Sequence, residues 1–202
     1  MRTTVRFSHA RMYNNQRREK NMPDIKVLTL VGSLRAASIN RQIAELAADV
    51  APDGVTLAIF DQLGELPFYN QDIDNEADVP AAVTALRAVA ADADAALVVT
   101  PEYNGSIPAV IKNAIDWLSR PFGDGALKDK PLAVIGGSFG RYGGVWAHDE
   151  TRKSFGVAGP RVVESIKLSV PFGSLDGQPP RDHAETVSNV RDAVGKLVAE
   201  VG

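Results

Sequence analysis

The chain of 202 residues contains no cysteine. This excludes disulfides, thiolate metal sites and cysteine nucleophiles. It is compatible with the cytoplasm, the location expected here. Histidine is almost as scarce. His9, His148 and His183 are the only three, and no H-E-x-x-H spacing exists for a metal. His148-Asp149-Glu150 reads as a solvated helix start, whose acids suit the helix dipole. No apolar run approaches the roughly 20 residues that span a bilayer, so no membrane partner is expected. Net charge is −3. A mildly acidic domain lacks the clustered Lys and Arg that nucleic-acid binding needs. Two phosphate signatures are also missing. There is no G-x-x-x-x-G-K-[ST], and there is no G-x-G-x-x-G. A mononucleotide cofactor fits this pattern better than ATP or a firmly held dinucleotide.

What is present suits one α/β domain. The length would cramp two separate cores. Apolar content of 45% and charged content of 23% are ordinary for a globular chain, so no fibrous or disordered class is favoured for the whole. The charge is uneven. Residues 1–21 carry Arg2, Arg6, Arg11, Arg17, Arg18 and Lys20 against Glu19, a net of +5, which leaves −8 for residues 22–202. Such a stretch could be an Arg-rich transit peptide. It lacks an apolar face and a secretory core, however, and Met22-Pro23-Asp24 stands directly before the first strand. Residues 1–21 are expected to be a disordered, dispensable basic tail, and residues 22–202 the domain.

Within the domain, β-branched and apolar runs alternate with helical stripes. Residues 25–31, 55–60, 95–100 and 132–135 read as strands, followed by a broken fifth strand at 162–163 and 166–170. Helices are expected over about 39–50, from Pro80 onward, from Ser106 as N-cap to Pro121, over 148–155, and over about 187–201. The acidic stretch 61–78 reads as a surface loop. Alternation of this kind implies a parallel sheet with helices on both faces. Five strands at this length suit a flavodoxin-like three-layer fold with sheet order 2-1-3-4-5. Ligands of such sheets bind outside the carboxyl ends of the strands, at the switch between strands one and three.

Three loops leave that edge. The first, Gly32 to Asn40, runs into a helix start, where free N–H groups attract anions. Ser33 and Ser38 offer hydroxyls, Asn40 an amide and Arg35 a forked cation that can take a phosphate bidentately. The alternative is an ordinary turn, with Ser38 as N-cap and Arg35 in solvent. The second loop, Pro101-Glu102-Tyr103-Asn104-Gly105-Ser106, places an aromatic ring and an amide beside that phosphate site. Tyr103 could lie against a flat heterocycle or simply be a half-buried core ring.

The third loop, Gly136-Gly137-Ser138-Phe139-Gly140, spells the nucleophile elbow G-x-S-x-G after a strand. Asp176 and His183 follow in the chain order of an α/β-hydrolase triad. Too little chain remains after Ser138 to build that fold's later loops, so a serine hydrolase is the weaker reading.

Gly32-Ser33-Leu34-Arg35 with Ser38 and Asn40, then Pro101 to Pro108, then Lys112-Asn113-Ala114-Ile115-Asp116-Trp117, closely resemble the NADPH-dependent FMN reductase family, which includes quinone, azo-dye and chromate reductases. The resemblance covers about residues 25–170. It implies a flavodoxin-like fold, bound FMN and a homodimer or homotetramer. By position it implies that Ser33, Arg35, Ser38 and Asn40 hold the FMN phosphate. Pro101, Glu102, Tyr103 and Asn104 would flank the ring system, largely through backbone groups, and Gly137 and Ser138 would meet its far edge. Asp116 and Trp117 would lock their helix in the core or a subunit contact. The segment Arg141-Tyr142-Gly143-Gly144 departs from the family pattern.

The activity so implied is NAD(P)H-dependent hydride transfer through bound flavin to a small-molecule acceptor: a quinone, free flavin, an azo dye or chromate. The cofactor carries the redox chemistry, and no side-chain acid or base is required. The rival from another class is an FMN electron carrier without turnover. Such carriers usually show a Thr- and Ser-rich phosphate loop, whereas this loop centres on Arg35.

Overall fold

A computed structural model describes residues 24–202. The expectations for residues 1–21 lie outside the described residues. Five strands, β1 (Ile25–Val31), β2 (Val55–Ile59), β3 (Ala95–Val99), β4 (Pro131–Ser138) and β5 (Arg161–Pro171), form one sheet in the order β2-β1-β3-β4-β5, all parallel. Five helices accompany them: α1 (Ile39–Asp49), α2 (Ala81–Asp92), α3 (Ala109–Leu118), α4 (Val145–Ala158) and α5 (Ala184–Ala199). Alternate residues of β1 serve opposite faces, as strand geometry requires. Val27 and Val31 pack with α1 and α5, while Leu28 and Leu30 pack with α2, α3 and α4. Central β3 is buried along its whole length, which is why Ala95-Ala96-Leu97-Val98-Val99 carries no polar residue. Among the described residues, no helix is long and apolar enough to cross a membrane.

Three local expectations need correction, and a fourth, the surface loop 61–78, needs refinement. First, α3 begins at Ala109 behind Pro108, and Ser106 does not cap it; the Ser106 hydroxyl donates to Glu150 Oε2 at 2.6 Å. Pro lacks the N–H that a first turn cannot satisfy, so it starts the helix without a side-chain cap. Second, α4 begins three residues before His148, and His148 is fully buried rather than solvated. Third, the fifth strand is continuous. The break in its pattern is a bulge, where the register passes from Leu132↔Val162 to Val134↔Lys167. Fourth, the 61–78 stretch is anchored to α3. The Tyr69 N–H donates to Asn113 Oδ1 (2.9 Å), and Pro67 O accepts from Asn113 Nδ2 (2.9 Å) and Trp117 Nε1 (2.8 Å). Trp117 is wholly buried, with Tyr69 edge-on at 4.9 Å. Polar side chains of α3 thus satisfy an irregular backbone that composition alone assigns to the surface.

Candidate active site

The loops after β1, β3 and β4 leave neighbouring strands at the carboxyl edge of the sheet. In the first, Gly32 is dictated by packing: a Cβ there would stand 2.3 Å from Thr100 Oγ1. Ser38 is the N-cap of α1, its hydroxyl accepting from the Arg41 N–H at 3.4 Å. From Ser33 to Ser38, only the Ser38 N–H meets a backbone carbonyl, that of Arg35 at 3.1 Å. Ser33 Oγ is buried without a partner. Arg35 is exposed and pairs with no carboxylate among the described residues. A buried hydroxyl, open N–H groups and an exposed guanidinium therefore all belong to the one loop that leads into α1. Such a donor set lacks only an anion to accept from it. Asn40 is engaged elsewhere. It is 2% exposed and clasps Gly137 at both ends, with Nδ2 donating to Gly137 O (2.9 Å) and Oδ1 accepting from Gly137 N (2.8 Å).

The second loop is a tight hairpin. Tyr103 and Ser106 exchange both backbone hydrogen bonds, at 3.2 and 3.0 Å, across Asn104 and Gly105. Those two have φ of 53° and 73°, and Asn-Gly suits such a turn because both positions are left-handed. The hairpin holds Tyr103 half exposed at the site. Pro101 is buried behind it. The Glu102 carboxylate is engaged by the start of α4. Its Oε2 accepts from the N–H groups of Trp146 (3.1 Å) and Ala147 (3.2 Å), capping α4 from a distance. Gly144, at that helix start, has no side chain to do so.

In the third loop, Ser138 is the last residue of β4, and its hydroxyl accepts from the Gly140 N–H at 3.2 Å. His183 is committed to α5, where Nδ1 accepts from the Thr186 N–H at 3.3 Å. No histidine or carboxylate bonds Ser138 among the described residues, so no hydrolase triad is assembled. Gly137 leaves no space for a side chain, since a Cβ would meet Phe172 at 2.4 Å. Beyond it stand three exposed aromatics not expected from sequence: Phe139, Tyr142 and Trp146. Tyr142 and Trp146 lie 5.7 Å apart, and Trp146 faces Gly105 of the second loop.

An open parallel sheet in this order, with an anion-ready helix start at its switch point, defines the flavodoxin-like class of α/β proteins. The comparisons narrow the class. The NADPH-dependent FMN reductase family matches residues 25–174. A 2-hydroxy-1,4-benzoquinone reductase of a Burkholderia species is 44% identical over 128 residues, 63% of this chain and 68% of the relative. A quinone reductase of Pseudomonas putida shows the same identity and coverage. The solved structure of FerB, a flavoenzyme NAD(P)H:(acceptor) oxidoreductase from Paracoccus denitrificans, superposes with a TM-score of 0.77. It is 32% identical, over 88% of this chain and 97% of that one. The chain belongs to the NADPH-dependent FMN reductase family.

Proposed function

We propose that this protein holds FMN in the crevice at the carboxyl edge of its sheet and works as an NAD(P)H-dependent quinone reductase. The observation that carries the reading is the unpartnered, buried Ser33 hydroxyl beside the free N–H groups and Arg35 at the α1 start. A phosphate monoester would satisfy all three at once. Each charge-assisted bond contributes about 1.5–3 kcal/mol. Ser33 and Arg35 bind the phosphate directly, and Ser38 keeps the helix start open by capping it. Asn40 acts by bracing Gly137 rather than by touching the phosphate. Pro101, Tyr103 and Asn104 flank the ring system, and Glu102 contributes through its backbone. Gly137 and Ser138 meet the far edge.

FMN, when bound, supplies the redox chemistry between a nicotinamide donor and its acceptor. The chain supplies binding, orientation and shielding from water. The Tyr103 hairpin and the Phe139, Tyr142 and Trp146 side chains offer stacking surface on which a flat donor and a flat acceptor alternate. The names of the relatives extend the proposal to quinones as acceptors. A homodimer or homotetramer belongs to the same proposal, as the family resemblance implies.

The test is the visible spectrum of the purified protein with and without added FMN, followed by NAD(P)H consumption with and without a quinone. A perturbed flavin spectrum and sustained, quinone-dependent consumption are expected. Flavin binding without turnover would leave an electron carrier. No spectral change on adding FMN would refute the reading.

A further inference from the structure

His148 is fully buried on the first turn of α4, and nothing above uses it. Its surroundings follow from a missing rung in the sheet. The Thr100 N–H donates to Ile135 O at 3.0 Å, so a continued parallel ladder would bring the Gly137 N–H to Thr100 O. Asn40 Oδ1 has taken that N–H instead. Pairing of β3 with β4 stops at Val99↔Ile135, and the Thr100 carbonyl is left to be satisfied elsewhere. His148 Nε2 does so at 2.8 Å. A carbonyl only accepts, so Nε2 carries the proton. Nδ1 then accepts from the Ser169 hydroxyl at 2.6 Å. Two buried side chains, Asn40 and His148, replace one ladder bond. Thr100 leads directly into Pro101 and the hairpin.

We propose that His148 is a positioning residue for the flavin site: its Nε2–H holds the Thr100 carbonyl and thereby sets where the 101–104 backbone stands. The proposal rests on the flavin reading above. The Thr100 carbonyl fixes the tautomer, the Ser169 hydroxyl complements it at Nδ1, and Glu102 docks the same helix turn onto the same loop. Burial favours the neutral ring and holds the pKa below its ordinary value, against the pull of the Thr100 carbonyl; Arg152 adds to the lowering, while Glu102 and Asp149 act the other way.

The test uses the full chain. His148→Leu removes the donor, and His148→Gln keeps an amide N–H at similar reach. Phe155→Leu, on the same helix, loosens the core without touching Thr100. In ligand-free protein, H148L is expected to speed amide exchange at Thr100 and Tyr103 about ten-fold, the loss of one hydrogen bond, relative to Leu97 in mid-strand. H148Q and F155L should not. FMN affinity should fall about ten-fold in H148L and recover in H148Q. Equal effects in H148L and F155L, or unaltered FMN affinity in H148L, would overturn the proposal. If H148L does not fold, nitrogen NMR of the parent imidazole decides, and an Nδ1-protonated ring would overturn it. A parent that binds no FMN sinks the flavin reading instead, and the exchange comparison still decides the role of His148.

Discussion

Arg35 shows how a single side chain can be read from sequence. Its forked cation in a loop before a helix suggested a phosphate, and the structure leaves it exposed and without a carboxylate partner among the described residues. Arg35→Ala is expected to weaken FMN binding by about 1.5–3 kcal/mol while leaving riboflavin, which lacks the phosphate, nearly unaffected. Fluorescence titration with both ligands checks this, and equal losses would remove Arg35 from the phosphate site. His148 was illegible for a physical reason. The inner face of α4 buries His148, Thr151 and Arg152, so no apolar stripe marks it as buried. Arg152 is satisfied by Val134 O at 3.1 Å and by Asp149 at 2.7 Å. The pKa of His148 lies below its ordinary 6.5, chiefly through burial. As pH falls below 6.5, the unfolded chain binds the proton before the folded one does, so stability falls with acid until the lower folded value is passed. The slope is at most about 1.4 kcal/mol per pH unit. Urea midpoints from pH 7 to about pH 5 should fall less steeply in H148Q than in the parent.

At the scale of elements, every strand and α-helix was foreseen, because alternating apolar runs and stripes dictate them; the short 3-10 turns at Leu63–Glu65, Gln71–Ile73 and Phe172–Leu175 were not. The starts of α3 and α4 were not. The cap of α4 is the Glu102 carboxylate, 44 residues from Trp146. Capping rules search the residues beside a helix start and miss a partner brought there by the sheet. Glu102→Ala should cost about 1 kcal/mol of stability, the usual worth of a cap. Chemical denaturation measures it. An unchanged midpoint would mean that solvent satisfies the Trp146 and Ala147 N–H groups equally well. The bulge in β5 was likewise invisible as such. It interrupts the period-two pattern, and one bulged strand then reads as two fragments.

For the whole molecule, sheet order and switch point were legible, because topology rules leave few ways to wind five parallel strands. The proposed phosphate ligands, Ser33 and Arg35, were placed from that frame. The bracing of Gly137 by Asn40 was not legible, because Gly137 lies on a strand distant in sequence. If the three loops hold flavin as proposed, one exposed flavin face serves both substrates, and donor and quinone are expected to use it in turn. Steady-state rates should give parallel double-reciprocal lines for NAD(P)H and quinone, and intersecting lines would show both bound together. The basic segment 1–21 remains outside the described residues, and we propose that it is dispensable. A chain beginning at Met22 should keep its melting temperature and FMN affinity; a drop of several degrees would show that the segment packs on the domain.

The Asn40 clasp carries one more implication. It ties the first turn of α1 to the end of β4, with two hydrogen bonds from one buried amide. The first and third loops are therefore strapped together at their bases by a side chain of the helix.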